Sequence, residues 1–276
     1  MSAALVTSRT NPRVKQLRAA FTGNARLSGG LVAIEGQTLL KEAIRSGLPL
    51  KTIFVSDRVE PPQWIPRGVE LLQLTDDVFS SVVDTQHPQG IAALLIPPIW
   101  NLESALPVSD PGKQASLLLI AAGLQDPGNL GTLIRSAEAF EATAVLTTPG
   151  TVSQWNQKAL RASAGSVFRV PVVAITQADI SSLKSRGLRI YAAVADDPAN
   201  PNALPLSAAE LTKPCALMIG NEGAGLSADL IAVADARISI PMPGCVESLN
   251  AAIAGSLLLY EASRQRQNAS NRIPRT

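Results

Sequence analysis

Six apolar runs in the second half of the chain alternate with segments of helical character, and this alternation limits the folds the chain can adopt. The runs are continuously apolar rather than alternating, which suits strands buried on both faces of a parallel sheet. We therefore expect an α/β fold with a parallel sheet covered by helices. The predicted strands are 116–123, 144–148, 169–175, 189–195, 215–220 and 237–242, and the predicted helices lie near 130–140, 156–164, 179–186, 227–234 and 249–266.

The amino-terminal part predicts a separate, smaller α/β module. Its predicted strands are 31–36, 51–57, 69–74 and 91–96, and its predicted helices are 11–20, 37–46 and about 76–83, the last with Thr75 as N-cap. Residues 97–114 hold four prolines and no clear periodicity, so we interpret them as an interdomain linker. The predicted domains are 1–96 and 115–276, joined by that linker.

Composition excludes several classes of protein. A chain of 276 residues with 46% hydrophobic residues is long enough for about two domains with substantial cores. The two cysteines give neither a disulfide framework nor zinc spacing, and the single histidine, His87, excludes His-based triads and multi-His metal sites. The amino-terminal segment lacks signal-peptide character, and the uncharged stretch 248–260 is shorter than a membrane span. We expect a cytoplasmic protein without a metal.

Positive charge is concentrated at the two ends of the chain. No acidic residue precedes Glu35, and no acidic residue follows Glu261. These ends either bind a polyanion such as RNA or are simply solvated. The basic residues concerned are Arg9, Arg13, Lys15, Arg18 and Arg26 at one end, and Arg264, Arg266, Arg272 and Arg275 at the other.

Three polar, glycine-containing segments follow predicted strands of the second domain. They are DPGNLGTLIR (126–135), IGNEGAGLS (219–227) and IPMPGCVESLNAAIAG (240–255). Ligands bind at the carboxyl ends of strands in α/β sheets, so we expect one site built from all three. Neither a P-loop nor a GxGxxG fingerprint is present, and the site must therefore differ from a standard phosphate or dinucleotide cradle.

The first segment contains residues suited to begin a helix and a basic side chain that can bind an anion. Asn129 can cap the following helix, and Gly128 allows an unusual turn. Arg135 lies one turn beyond Gly131 on the same face, where it can hold a phosphate with two hydrogen bonds. The alternative is a surface ion pair between Arg135 and Glu138.

The second segment carries three glycines within six residues. They either place backbone amides against a ligand or serve a tight strand-to-helix turn that needs a positive φ angle. Glu222 would repel a phosphate, but it can accept hydrogen bonds from a ribose or an amine. Ser227 can cap the next helix.

The third segment combines a rigid loop with the start of the last helix. Pro241, Pro243 and Gly244 stiffen the loop, and Ser248 and Asn250 stand where free backbone N–H groups point outward. Ser248 can also be a simple cap. Met242 would more often be a core residue, and nothing near Cys245 predicts a reactive thiol.

Two further segments have alternative interpretations. The last helix is apolar on all sides for three turns, which predicts burial, for example in a subunit interface. Lys158, Arg161 and Ser163 form a basic helical face that contacts RNA or is merely solvated.

Together these segments resemble the SpoU (TrmH-type) family of RNA ribose 2′-O-methyltransferases in the SPOUT superfamily. The motifs appear here as Asn129–x–Gly131–x–x–x–Arg135, as Gly220-Asn221-Glu222-Gly223 with Gly225, and as Ile240-Pro241-Met242, Gly244 and Ser248-Leu249-Asn250. KALRASAGSVFRVP (158–171) is similar to the segment between motifs. The first 96 residues resemble, more weakly, a ribosomal-protein-like RNA-binding domain through SRTNPRVKQLR and VAIEGQTLLKEAIRSG. One departure is Ala251-Ala252 after the third motif.

The resemblance implies properties that spacing alone does not. It implies a trefoil knot in the second domain, a homodimer with the last helix in its interface, and bound S-adenosylmethionine. It assigns cofactor binding to Gly220, Asn221, Ile240, Met242 and Leu249. It makes Arg135 the catalytic candidate, with Asn129, Glu222, Ser248 and Asn250 shaping a ribose pocket. RNA would be bound by Arg9, Arg13, Lys15, Arg18, Arg26, Lys158 and Arg161.

The expected activity is S-adenosylmethionine-dependent 2′-O-methylation of a ribose in RNA, with ribosomal RNA favoured over transfer RNA. Alternatives are a transfer RNA methyltransferase, a non-catalytic RNA- or ribosome-binding protein of the same fold, and a small-molecule methyltransferase. A Rossmann dehydrogenase is disfavoured because the glycine fingerprint is missing.

Overall fold

A computed structural model of the chain describes residues 5–23, 28–83, 85, 87–106, 115–195 and 202–271. In this part of the chain the strands are β1 (Leu5–Val6), β2 (Val32–Glu35), β3 (Leu50–Ser56), β4 (Glu70–Leu74), β5 (Ile91–Leu95), β6 (Leu117–Ala121), β7 (Ala144–Thr147), β8 (Val172–Ala174), β9 (Arg189–Ala193), β10 (Leu204–Pro205), β11 (Cys215–Ile219) and β12 (Ala236–Ser239). The helices are α1 (Pro12–Phe21), α2 (Gln37–Arg45), α3 (Asp76–Ser80), α4 (Leu102–Ala105), α5 (Pro127–Ala139), α6 (Gln157–Ser163), α7 (Gln177–Ser185), α8 (Ala228–Val233) and α9 (Ala251–Asn271).

The contacts divide the chain into two units. Unit 1 comprises Met1–Ile99 and Trp155–Phe168, and unit 2 comprises Trp100–Gln154 and Arg169–Thr276. The boundaries predicted from the sequence place Trp155–Phe168 in the second domain, whereas its contacts group it with the first. The segment docks there because four of its side chains are buried and apolar. They are Ala159, Leu160, Val167 and Phe168.

Unit 1 contains a five-stranded mixed sheet in the order β1-β4-β3-β5-β2. The pairings of β4 are parallel and those of β5 are antiparallel. The four predicted strands and three predicted helices are confirmed, while β1 was missed because it is only two residues long.

Thr75 stands at the start of α3, but its side chain makes no capping hydrogen bond. The Asp76 N–H instead donates to Asp57 Oδ1 at 3.0 Å.

Unit 2 contains a seven-stranded sheet in the order β10-β12-β9-β11-β6-β7-β8, and every pairing is parallel. This confirms the predicted parallel α/β fold; the knot stays a prediction. The short strand β10 was missed because its two residues are exposed. The stretch interpreted as a linker contains the short helix α4. Asn101 and Ser104 cap the start of this helix with a reciprocal capping box. None of the described helices is long and apolar enough to cross a membrane.

Arg266 fastens α9 to the amino-terminal edge of the central strands. Its side chain is buried, at 5% exposure, and its guanidinium donates hydrogen bonds to four backbone carbonyls. The acceptors are Leu211 (2.8 Å), Lys213 (2.9 Å), Ser116 (3.2 Å) and Ala115. Arg266 is therefore neither available to a polyanion nor solvated, which were the two interpretations offered for the basic carboxyl end.

The remaining basic residues of that end have different positions. Arg264 forms an ion pair with Glu261 at 2.7 Å, so its charge is already balanced. Arg272 and Arg275 lie outside the described residues.

Replacing Arg266 with alanine should lower the free energy of unfolding by about 3 kcal/mol, because four carbonyls at a buried edge lose their donor. Arg264→Ala is the matched control on the same helix, and it should cost much less because that arginine is exposed. Urea unfolding followed by circular dichroism measures both. Equal losses would contradict the anchoring role of Arg266.

Candidate active site

A cavity of about 390 Å³ lies beyond the carboxyl ends of β9, β11 and β12 in unit 2. Its walls come from residues after each of these strands and from the start of α9. All five residues predicted to bind a cofactor line it, namely Gly220, Asn221, Ile240, Met242 and Leu249. Ser248 and Glu222 also face it. The second and third segments therefore meet where a parallel sheet places its ligands.

The loop after β11 brings two stretches of backbone into close approach. Asn221 and Gly225 exchange two backbone hydrogen bonds, at 3.0 and 2.9 Å. A Cβ atom at Gly220 would lie 2.2 Å from the carbonyl carbon of Gly225, so no larger residue fits there. Gly225 itself has φ +67°, which confirms that the turn needs a positive φ angle. The glycines thus serve both the turn and the narrow backbone wall of the cavity.

Asn221 and Ser227 fix the two ends of this loop. Asn221 Oδ1 accepts hydrogen bonds from the N–H groups of Gly223 (2.9 Å) and Ala224 (3.1 Å), and its Nδ2 donates to Gly123 O at 2.9 Å. Ser227 accepts from Leu230 N and caps α8, as predicted.

The carboxylate of Glu222 joins the second segment to the first. It accepts hydrogen bonds from Asn129 Nδ2 (2.9 Å), from Asp126 N (3.3 Å) and from Gln125 N (3.4 Å). Asn250 Nδ2 donates to Asn129 Oδ1 at 3.0 Å and thereby adds the third segment. One network therefore connects three loops, the first of which is 93 residues in sequence from Glu222 and 121 from Asn250.

The charge of Glu222 is stabilised within this network. Partial burial raises the pKa of its carboxyl group, but the hydrogen bonds from Asn129, Gln125 and Asp126 outweigh that effect. The pKa of Glu222 therefore lies below its ordinary value. The group is an anion at neutral pH whose lone pairs already have donors.

Several predicted local roles are wrong. Asp126, rather than Asn129, is the N-cap of α5, since its side chain accepts from Asn129 N at 2.9 Å. Gly128 lies inside the first helical turn and has no positive φ angle. Asn129 is thereby left free to bind Glu222 and Asn250.

The start of α9 and the expected ion pair also differ from prediction. Asn250, rather than Ser248, caps the helix, because its Oδ1 accepts from Ala252 N (2.9 Å) and Ile253 N (3.2 Å). Glu138 binds Arg169 instead of Arg135.

Arg135 is exposed on α5 and forms no ion pair with the residues that the structure describes. Helix α5 packs closely on α9, where Ser136 Oγ and Ser256 Oγ are 2.7 Å apart. Helix α9 also exposes an apolar stripe whose members are spaced by four and three residues. Its members are Ile253 (53% exposed), Leu257 (39%) and Tyr260 (52%). These three apolar side chains are thus uncovered in the described part of the chain.

Of the predicted RNA-binding residues, Arg13, Lys15 and Arg18 lie on α1, and Lys158 and Arg161 lie on α6. Arg13 on α1 is paired with Glu70 at 3.0 Å, and Arg18 donates to Ser81 at 3.4 Å. Arg9 and Lys15 are exposed, while Arg26 lies outside the described residues.

On α6, Lys158 and Arg161 are exposed, three residues apart. Ser163 is buried and donates its hydroxyl to Leu160 O, so it does not belong to that basic face.

The end of β9 is part of the site and was not identified from the sequence. Ala193, Val194 and Ala195 line the cavity because β9 lies beside β11 in the sheet. Small apolar residues carry no chemical signature, and only the strand order reveals them. Among the residues described, no group of His, Cys, Asp and Glu is placed to hold a metal ion.

Comparison with known proteins identifies the family. Residues 116–260 match the model described as the SpoU rRNA Methylase family, and residues 11–93 match the MRM3-like substrate binding domain. The chain is 36% identical over 256 residues to the 23S rRNA (guanosine(2553)-2′-O)-methyltransferase RlmP of Bacillus subtilis, covering 92% of this chain and 97% of that protein. This chain belongs to the SpoU rRNA methylase family. As a member of that family it is an RNA methyltransferase.

Solved SpoU-type structures have the same architecture. The AdoMet-bound rRNA methyltransferase from Sinorhizobium meliloti has a TM-score of 0.81 at 28% identity, covering 95% of this chain and 98% of that one. The SpoU methyltransferase AviRb from Streptomyces viridochromogenes, in complex with AdoMet, has a TM-score of 0.79 at 27% identity, covering 93% and 98% of the two chains.

Replacing Glu222 with glutamine should destabilise the protein at neutral pH, and the difference from wild type should shrink in acid. A carboxyl group with a lowered pKa in the folded state stabilises the fold above its unfolded pKa of about 4.3, and this contribution is lost as the pH falls through the folded pKa. Urea unfolding at a series of pH values measures the difference. Glu247→Gln, an exposed carboxyl in the third segment, is the control, and a pH-independent difference for Glu222→Gln would contradict the network.

Proposed function

We propose that this protein transfers the methyl group of S-adenosylmethionine to a ribose 2′-oxygen in ribosomal RNA. The observation that carries the proposal is the Glu222–Asn129–Asn250 network at the rim of the cavity after β11. The relatives that share this architecture are an rRNA 2′-O-methyltransferase and AdoMet-bound methyltransferases.

The cavity fits a nucleoside cofactor without phosphates. Its volume is within the usual range for small-ligand sites, about 300–1,000 Å³. Apolar walls from Ile240, Met242 and Leu249 suit a flat base, and the backbone of 219–226 supplies donors and acceptors for a ribose. No basic residue is found among the described residues that line it, which disfavours a dinucleotide.

When bound, S-adenosylmethionine supplies an electrophilic methyl group, so the residues of the chain need mainly to align the ribose and assist loss of its proton. Asn129, Ser248 and Asn250 would position the ribose, since they stand at the rim formed by the three segments. Glu222 holds this rim together. Because three donors already occupy its carboxylate, we assign it an organising role rather than that of general base.

Arg135 would bind the phosphate next to the target ribose and stabilise the developing alkoxide. A guanidinium stays protonated at neutral pH and cannot accept the ribose proton itself. Its exposed position leaves its donors accessible to RNA. The neighbouring phosphate can relay the proton.

The active unit in this proposal is a homodimer. The exposed stripe Ile253, Leu257 and Tyr260 would be covered by the same stripe of a second copy, as in an isologous interface. Arg135 lies on the helix packed against α9, and it would therefore reach the site of the partner. Binding of the target RNA would rest on unit 1, and the protein would work in the cytoplasm.

The decisive experiment uses purified protein, methyl-labelled S-adenosylmethionine and unmodified total RNA, followed by nuclease mapping of the label. Label on one ribose 2′-oxygen of ribosomal RNA is the expected result. Label on transfer RNA would overturn the substrate, and label on a base would overturn the reaction. Cofactor binding with no transfer to RNA or to ribosomal particles would favour a non-catalytic RNA binder.

Arg135→Ala should abolish methyl transfer and leave the Kd for S-adenosylmethionine nearly unchanged, because Arg135 does not line the cavity. Calorimetry and the labelling assay measure the two quantities. Parallel loss of cofactor binding and transfer would contradict the proposed role.

Mixing subunits tests whether Arg135 acts across the dimer. Gly220→Val should close the cavity of its own subunit, since even a Cβ collides with Gly225. Arg135→Ala and Gly220→Val subunits, each inactive alone, should regain about a quarter of the activity when unfolded and refolded together, because half of the dimers are mixed and each has one complete site. No recovery would mean that Arg135 serves its own subunit.

A further inference from the structure

A fourth loop lies beside the site in unit 2, at the carboxyl end of β7. It consists of residues 148–152, and we call it the β7 loop. It belongs to none of the three glycine-containing segments, and its residues, all within the described part of the chain, do not line the cavity. Strand β7 pairs with β6, so the β7 loop adjoins residues 122–126, which follow β6 and which we call the β6 loop.

Thr151 binds the β6 loop through its hydroxyl group. Its Oγ1 accepts a hydrogen bond from Gly123 N at 3.0 Å and donates one to Ala121 O, also at 3.0 Å. Beside it, Val152 N donates to Leu124 O at 2.8 Å. The β7 loop therefore fixes the first residues of the β6 loop.

The two backbone polar groups of Gly123 connect the β7 loop to the cavity. Its N–H donates to the β7 loop, and its carbonyl accepts from Asn221 Nδ2 at 2.9 Å. Asn221 Oδ1 in turn accepts from the N–H groups of Gly223 and Ala224, two residues that line the cavity. A chain of hydrogen bonds thus runs from Thr151 through Gly123 and Asn221 to the cavity wall.

A second route leads from the β6 loop to the rim of the cavity. The loop continues into Gln125 and Asp126, whose N–H groups donate to the carboxylate of Glu222 at 3.4 and 3.3 Å. Both distances exceed the usual range of about 2.7–3.2 Å, so a small shift of the β6 loop is enough to break these hydrogen bonds. The partners of Glu222 therefore depend on where the β6 loop is held.

We propose that Thr151 is a positioning residue of the methyl-transfer site, acting through Gly123 on the cofactor cavity and on its rim. This inference rests on the proposed function and adds a fourth segment to the site. Thr151 itself neither lines the cavity nor binds Glu222, and its effect passes through the backbone of the β6 loop.

Valine substitutions in the full-length protein test this role, because valine keeps the shape of threonine and removes its hydroxyl group. Thr151→Val is compared with Thr143→Val, a matched control at the opposite end of β7. Thr143 Oγ1 accepts from Leu117 N at 3.1 Å, and both threonines are half-buried. Thr148 Oγ1 also accepts from Gly123 N, at 3.1 Å, so Thr148→Val/Thr151→Val removes both hydroxyl acceptors of that N–H.

Calorimetry measures the Kd for S-adenosylmethionine, and the labelling assay with in vitro transcribed 23S ribosomal RNA measures kcat and KM. Thermal melting measures the loss of stability in each variant. The conservative variant Thr151→Ser keeps the hydroxyl group and serves as the rescue.

We expect Thr151→Val to raise the Kd for S-adenosylmethionine about fivefold, the effect of one hydrogen bond of ordinary net strength. The double variant should raise it further. At saturating cofactor kcat should still fall severalfold while KM for RNA is unchanged, because the rim is misaligned. Thr143→Val should lose as much thermal stability and keep the wild-type Kd and kcat, and Thr151→Ser should restore both.

A wild-type Kd and kcat in the double variant would overturn this proposal. An equal rise in Kd for Thr143→Val would overturn it too, since the loss would then follow stability rather than position. If Thr151→Val weakens cofactor binding but the wild-type protein methylates no RNA, the link from Thr151 to the cavity stands and the proposed function fails.

Discussion

The site depends on the hydrogen bonds that the carboxylate of Glu222 accepts. Three loops end at one edge of a parallel sheet, and each has its own backbone amides and side chains to satisfy. Glu222 accepts from the first loop at Gln125, Asp126 and Asn129, and Asn129 accepts from Asn250 in the third. Without that acceptor, the second loop would lose its hydrogen bonds to the first, and Asn129 would lose the partner that holds it in place to accept from Asn250.

The surrounding fold keeps this edge rigid. Strands β6 and β11 are adjacent and completely buried, so the loops that follow them start from fixed positions. At the opposite edge, Arg266 ties α9 to the carbonyls before the same two strands. Helix α9 is therefore held at its start by Asn250 and near its end by Arg266, with the packed Ser136–Ser256 contact between them.

Much of this arrangement was predictable from the sequence, and the reasons for the failures are specific. Continuous apolar runs predicted the parallel sheet, and strand ends followed by polar loops predicted the cavity. Capping was misassigned because Asp126, Asn129, Ser248 and Asn250 all have suitable side chains, and only the geometry selects among them. Buried Arg266 and the docking of α6 into unit 1 depend on contacts distant in sequence, which periodicity does not encode.

The long sequence separations within the network have a consequence for the synthesis of the protein. Asn250 is synthesised 121 residues after Asn129, the side chain that it must meet. A nascent chain therefore carries the first loop through the synthesis of 121 further residues before the rim can be completed. The rim of the cavity is completed late in synthesis and in one step. Truncated translation products would therefore be inactive rather than weakly active.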